Sequence, residues 1–514
     1  MKSLELKNNL KSIENPNNRL MKVSLNDGLE ANVYPRSIHE INENLLFITR
    51  DKLEKFLYII TGDQDWVENR FNCVNAGNEI YRCNLTTKNR ESLQEIFNFL
   101  KPTVIGLENS FGFGDRLGLA NPGHLRSLDI SNFKPILAQQ SIRELNRTNR
   151  TPDEVMDAAV YAAFQEGYKE GFGADADHLK TDKDIDLMIN AGYKMFTFDP
   201  SNYVDNEADN YDEDQLLALL SKLPWGDLED SFPDAELRYL SNEIEINDQF
   251  KIRPNDIELL RAYAKYGKAI AHIKSMYDYM QENYNEYDYE IEVSVDETES
   301  VTSPFEHFFF ANELNRLKVK FISLAPRFIG AFEKGIDYKG DLKLFEEEYK
   351  KHLAITKYFG SYKISLHSGS DKFSVYKVIG SMKDAYTHVK TAGTSYLEAL
   401  KVTAIKEPDL FREILDYSGD LYEKEKRTYH VSADINKLKP AEEYKNSELA
   451  DLFNSNDVRQ ILHVTFGRIL TDTDKKGNYI FKDRIMDCLK KNEETHYELL
   501  VKHFHNHLEP FNSK

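Results

Sequence analysis

Two apolar runs that each lead into a histidine hold the densest chemistry in this sequence. The first is YKISL, ending at Leu366 and followed by His367-Ser368-Gly369-Ser370-Asp371-Lys372. The second carries His388-Val389-Lys390-Thr391-Ala392-Gly393-Thr394-Ser395 and feeds a helix. Neutral imidazole is the commonest ligand for zinc-like ions. Small residues expose backbone N–H groups, lysines add charge, and a helix amino end favours an anion. Together these features suit an anionic or polyhydroxylated small molecule beside a metal. His178, at the end of FGADAD, is a third histidine of the same kind. Three histidines converging on one mouth suit Mn²⁺, Co²⁺, Ni²⁺ or Zn²⁺, with positions left open for substrate oxygens.

The acid–base candidates are Asp175, Asp177, Asp296 and Glu297. Asp177 and His178 are adjacent, so an ideal strand points them to opposite faces. An irregular strand end would bring both to one site. Glu297 shares a face with Val293 and Val295 and is read as the inward-reaching carboxylate. Two carboxylates on opposite sides of a site can remove a proton and return one. Each group also has an ordinary reading as a satisfied core histidine, a loop carboxylate or a solvated lysine. His503, His505 and His507 are read as surface histidines.

These residues sit at the ends of short apolar runs from Pro102 onward. The runs are TVIGL (Thr103–Leu107), PILAQ (Pro135–Gln139), FGADAD (Phe172–Asp177), MFTF (Met195–Phe198), YEIEVSV (Tyr289–Val295), KFISLA (Lys320–Ala325), YKISL (Tyr362–Leu366) and Thr387–Val389. Helical patterns fit between most of them. Thr151-Pro152-Asp153-Glu154 and Ser303-Pro304-Phe305-Glu306 read as capping boxes with proline at the first helical position. Strand–helix units of this number predict an α/β fold, a TIM-like (β/α)8 barrel whose strand carboxyl ends carry the site. Loops after the last two strands of such barrels often hold an anion, and Thr391–Ser395 stands in that place.

The expected organisation has three parts. Residues 1–100 form an N-terminal α+β extension, and 101–400 form the barrel with an insertion at 201–288 between strands four and five. Residues 401–514 form a mainly helical C-terminal region, with TYHVSAD and ILHVTFG as two strand-like pieces. The chain has 514 residues, of which 41% are hydrophobic and 12% aromatic, enough for a large packed core. The net charge of −20 argues against nucleic acid as a partner. Gly112-Phe113-Gly114 lacks the third glycine of a dinucleotide-binding loop. No apolar run reaches membrane-spanning length, and the charged start MKSLELKNNLKSIE lacks the apolar centre of a leader. With three cysteines only, a reducing, cytoplasmic setting is expected.

Several long stretches resemble the tagaturonate epimerase family (tagaturonate/fructuronate epimerase). They include IGLENSFGFGDRLGLANPGHL, GADADHLKT, VDET, TSPFEHFFFANEL, FISLAPRFIGAFEKGIDYKGDL, SLHSGSDKFSVY and HVKTAGTSYLEAL. The likeness covers roughly residues 100–470. It implies a metal-dependent isomerase of hexuronate catabolism that interconverts D-tagaturonate and D-fructuronate. These differ at C3 counted from the carboxylate, β to the C5 ketone, so direct α-deprotonation does not invert it. Two routes remain, retro-aldol cleavage of C3–C4 or oxidation and re-reduction of C3 by a bound nicotinamide, and the missing dinucleotide loop favours the first, with His178, His367 and His388 on a divalent cation and Asp177 and Glu297 exchanging protons. The Thr391–Ser395 turn with Lys390 or Lys372 takes the carboxylate, while Glu108, Asn109, Arg327 and Ser368 contact the rest of the sugar. A metal-dependent sugar-acid isomerase or aldolase, and a carbohydrate-binding barrel without catalysis, are the alternatives. Homo-oligomerisation stays open.

Overall fold

The computed structural model describes residues 2–11, 13, 18–26 and 29–512. Its centre is a closed barrel of eight parallel strands. We number them β1 (Ser110–Phe113), β2 (Lys134–Ser141), β3 (Gly173–Leu179), β4 (Met195–Phe198), β5 (Glu290–Ser294), β6 (Ser323–Ala325), β7 (Lys363–Leu366) and β8 (Thr387–Thr391). β8 closes on β1 with His388 opposite Ser110. The expected capping boxes at Thr151 and Ser303 are both present, and each starts an outer helix of the barrel.

Seven of the expected runs lie on barrel strands, and the first does not. Thr103–Leu107 pairs with no strand, and the chain enters the sheet only at Ser110. The earlier stretch instead closes the bottom of the barrel. Ile105 and Gly106 donate their N–H groups to the buried Glu290 carboxylate at 3.3 and 2.8 Å, and Ile105 packs on Ile136 and Met195. The sequence SFGF looks too short and glycine-rich for a strand. Gly112 is there because it faces a crowded interior: a Cβ would lie 1.7 Å from Gln139 Oε1.

Residues 21–84 build a seven-stranded antiparallel sheet packed on the barrel. On it, Cys73 and Cys83 face each other across the 73–77 and 80–84 strands and are disulfide-bonded, a pairing that the expectation of a reducing setting did not include. The insertion after β4 contains two short helices and the small hairpin Ile244–Asn247 with Phe250–Ile252. The long helix Asp256–Asn283 packs against the Pro304–Arg316 helix, as the crossover helix before β5 should, so the inserted part proper is 201–255.

Residues 401–512 are mainly helical and contain no strand, not even in the two pieces that look strand-like. TYHVSAD is irregular after Thr428, the last residue of a 3-10 turn, and ILHVTFG belongs to helices Asn456–Val464 and Phe466–Thr471. Val458, Ile461 and Leu462 share a buried helical face, a periodicity that the β-branched local composition obscures. His503 and His507 are not surface groups. His507 is fully buried, while His503 contacts Asp371, Glu398 and Thr394. Only His505 is substantially exposed, beside Asp129.

Candidate active site

The barrel interior is polar, built by alternation along each strand. β3 sends Asp175 and Asp177 inward, β4 Thr197, β5 Glu292, and β8 His388 and Lys390, with His367 following directly on β7. Lys390 is the hub. Its buried ammonium lies 2.8 Å from each of Asp175 Oδ2, Asp177 Oδ1 and Glu292 Oε1, and 2.6 Å from Thr197 Oγ1. Burial opposes its charge, but the three carboxylates win and hold its pKa well above the ordinary lysine value.

Above this layer, at the carboxyl ends of the strands, His178, His367 and Asp296 meet. Residue 178 adopts φ 54°, and the β3–β4 register shifts between Ala176 and Leu179. This left-handed residue breaks the strand alternation, so Asp177 and His178 both face the pocket. The conformation is strained for a non-glycine residue and recurs at Ser368 (φ 53°), just past His367. His178 Nδ1 is 2.7 Å from Asp177 Oδ1. Its Nε2 is buried without a hydrogen-bond partner among the described residues, 3.6 Å from Asp296 Oδ1 and 3.8 Å from Glu297 Oε1. His367 places Nε2 2.7 Å from Glu292 Oε1 and Nδ1 3.1 Å from Asp296 Oδ1.

The electrostatics follow from these contacts. Burial lowers the affinity of both rings for a proton, and the neighbouring carboxylates reverse the effect. Asp177 leads in raising His178 well above its usual value, and Asp296 leads in raising His367, to about 9. Burial likewise pushes the carboxyls up, but His178 and Lys390 hold Asp177 well below the usual carboxylate range, and His367 does the same for Asp296.

Ligand atoms of Asp177, His178 and His367 lie within 4.8 Å of one another, and the donor set fits a divalent cation. Asp177 and Glu292 engage one nitrogen of each ring. This is the usual outer-shell arrangement that fixes the tautomer of a ligating histidine. It leaves His178 Nε2 and His367 Nδ1, both beside Asp296. A second cluster, Asp371, His503 and His507, does not fit a metal. His507 Nε2 accepts the Asp371 N–H at 3.0 Å, its Nδ1 faces the His503 carbonyl at 3.1 Å, and Asp371 is paired with Arg459 at 2.7 Å.

The remaining expected residues divide sharply. Glu297 and Ser368 line the pocket with the histidines. His388 does not. It lies lower in the barrel, buried, with Nδ1 2.9 Å from Ser110 Oγ, and burial lowers its pKa. Glu108 and Asn109 precede β1 and so sit at the opposite face, where Asn109 Oδ1 accepts the Thr387 N–H at 2.7 Å. Lys372 is buried, donating to the carbonyls of Glu333 and Ser370 at 2.8 and 3.0 Å and to Ile336. Arg327 lies outside the pocket, with Nη1 3.4 Å from the Asp296 carbonyl, and Thr391 Oγ1 donates to the Gly112 carbonyl at 2.7 Å.

Glu292 was missed and Asp296 was passed over for Glu297. The signal for both was present: Glu290, Glu292, Ser294 and Asp296 alternate with the apolar Ile291, Val293 and Val295. In a barrel whose inside is polar and whose outside is covered by helices, the charged face is the inner one. Arg116, Lys334 and His463, which complete the pocket wall, had no local pattern to mark them.

A family model described as UxaE, tagaturonate epimerase, matches residues 34–511. A tagaturonate/fructuronate epimerase from Thermotoga maritima is 42% identical over 483 residues, spanning 93% of this chain and 96% of that one. The native crystal structure of fructuronate-tagaturonate epimerase UxaE from Cohnella laeviribosi has a TM-score of 0.88 at 37% identity, covering 94% of this chain and 97% of that one. A glycerol-complexed structure of that enzyme matches equally well.

Proposed function

The chain belongs to the tagaturonate epimerase family, and on that premise we propose that it interconverts D-tagaturonate and D-fructuronate by inverting C3 through retro-aldol chemistry at a divalent metal. The observation that carries the metal is the orphaned, buried Nε2 of His178, facing Asp296 within a group of carboxylates and His367. His178 Nε2, His367 Nδ1 and an Asp296 oxygen are the atoms that would hold the ion. When bound there, it supplies Lewis-acid polarisation of the C5 ketone.

The protein groups do the rest. Glu297 stands at the rim, 3.2 Å from Arg143 and 3.8 Å from His178 Nε2, and is the carboxylate placed to exchange the C3 hydroxyl proton. Asp177 is held by Lys390 and by the His178 ring, so its part is to orient that ring and fix its tautomer. As Glu297 takes the C3 hydroxyl proton, the C3–C4 bond breaks. C1–C3 leave as an aldehyde, and the bonding pair stays with the C4–C6 fragment as an enediolate. The aldehyde turns its other face, the C3–C4 bond re-forms, and the new C3 oxygen recovers the proton from Glu297.

Epimerisation of D-tagaturonate in D₂O tests this. The expected result is ¹³C isotope effects at C3 and C4 with no deuterium on C3. Deuterium at C3 overturns the retro-aldol route, and tightly bound NAD in the purified protein does the same.

A further inference from the structure

We propose that Arg116, Lys334 and His463 form the subsite that grips the substrate's carboxylate, at the amino end of the Thr394–Lys406 helix. This rests on the sugar-acid reading above and replaces Lys390 and Lys372 in that role. Both of those lysines are saturated, Lys390 by three carboxylates and Lys372 by backbone carbonyls. Arg143 is paired with Glu297. The charge left without a carboxylate partner is that of Lys334, and Arg116, although paired with Glu144, keeps one buried N–H group, Nη1, unpartnered among the described residues.

Lys334 donates to Ser368 Oγ at 2.6 Å, and no carboxylate oxygen among the described residues lies within ion-pairing distance of it. Arg116 is buried. Its Nε and Nη2 share Glu144 Oε1 at 3.0 and 2.8 Å, its guanidinium stacks 3.5 Å over the Phe466 ring, and Nη1 has no partner among the described residues. His463 is buried with both ring nitrogens unpartnered among the described residues. Its ring packs against Gly393, the N-cap of the helix. A Cβ there would lie 2.0 Å from His463 Cε1, so only glycine admits the ring. That helix start also lacks a side-chain cap.

All three residues line the same pocket as His178, His367 and Asp296. Buried polar atoms are nearly always satisfied, and stranding several in one wall is costly unless a ligand completes them. A carboxylate does so: two oxygens accept from Arg116 Nη1, the Lys334 ammonium and a His463 N–H, with the helix amino end adding its dipole. The three residues come from the loop after β1, the loop after β6 and the C-terminal helix Asn456–Val464. Preference for a sugar acid over the corresponding neutral sugar is thus supplied partly from outside the barrel.

Calorimetric binding of D-galactonate and of its uncharged counterpart D-galactitol to the full-length protein separates this subsite from catalysis. Lys334→Met and Arg116→Met are each expected to lower the acid-to-alcohol affinity ratio about 10- to 100-fold. Lys334→Arg, which keeps the charge, is expected to retain most of the ratio. A ratio within threefold of the unmodified protein in both methionine variants overturns the proposal, as does an unmodified protein with no preference for the acid. Intact acid preference without turnover of D-tagaturonate would instead uphold the subsite and overturn the proposed activity.

Discussion

Lys390 shows what a single residue does to a site that composition alone makes look anionic. Its ammonium is the shared counter-charge of Asp175, Asp177 and Glu292, all buried. Removing one member of such a group leaves uncompensated charge in a low-dielectric interior, at about 3–5 kcal/mol. Lys390→Met is therefore expected to lower folding stability by roughly that amount in chemical denaturation, and to disturb the Asp177 contact that orients His178. A variant as stable as the parent would show that the carboxylates are protonated or otherwise compensated. The metal atoms give a second residue-scale expectation. His178→Ala should lose bound divalent metal and activity together, read by elemental analysis beside a kinetic assay, and a metal-replete, active variant would refute the assignment. The sequence marked His178 and His367 because each follows an apolar run. It misplaced His388 because a strand five residues long has two inward positions at different depths, and one sequence does not say which reaches the mouth.

The elements repeat this distinction between what is local and what is not. Capping boxes at Thr151 and Ser303 were legible because their hydrogen bonds close within four residues. The bulge at His178 was not, because its positive φ has no glycine to announce it. Contacts between helices lie further from the sequence. The Pro304–Arg316 and Leu342–Tyr358 helices meet through His307 Nδ1 and His352 Nδ1, 2.8 Å apart, with the Tyr362 hydroxyl 2.7 Å from His307 Nε2. Burial lowers His352 to about 4 and His307 well below its usual value, so the folded pair stays neutral where an unfolded histidine titrates near ~6.5. The folded pKa values are depressed, so the unfolded chain binds more protons once the pH falls below the unfolded value. The pair's contribution to stability is complete above about pH 6.5 and declines as the pH falls toward 4. The melting temperature should fall over that window, and His352→Gln should flatten the slope. An unchanged slope would place the acid sensitivity in other groups.

For the whole molecule, the largest hydrophobic cluster draws on all three regions distinguished by pattern, while most of residues 397–489 pack in a second cluster of their own. The largest hydrophobic cluster includes Leu46, Ile48 and Leu57 of the N-terminal sheet, Phe111 and Phe113 of β1, and Leu500 and Phe504 of the last long helix. Phe504 packs edge-on to Phe113, with ring centroids 4.9 Å apart. The ends of the chain are also joined by polar contacts: Glu493 lies 2.5 Å from the Tyr34 hydroxyl and 2.7 Å from Lys55 Nζ. Such contacts between residues hundreds of positions apart leave no periodic trace, which is why the boundaries near 100 and 400 look like domain limits in the sequence. Separable domains would unfold in separate steps, whereas a shared core makes unfolding cooperative. Calorimetry of the full chain is therefore expected to give one dominant transition, and a chain starting at residue 101 is expected to be insoluble or molten. That truncation would expose the faces of the Pro152–Glu166 and Glu493–Leu508 helices on which the sheet now packs. Glu493→Ala, which strands Lys55 and the Tyr34 hydroxyl, should lower stability by about 2–4 kcal/mol without splitting that transition. Two resolved transitions in the parent protein, or a well-folded 101–514 fragment, would show that the N-terminal sheet is an appendage and not part of the barrel's core.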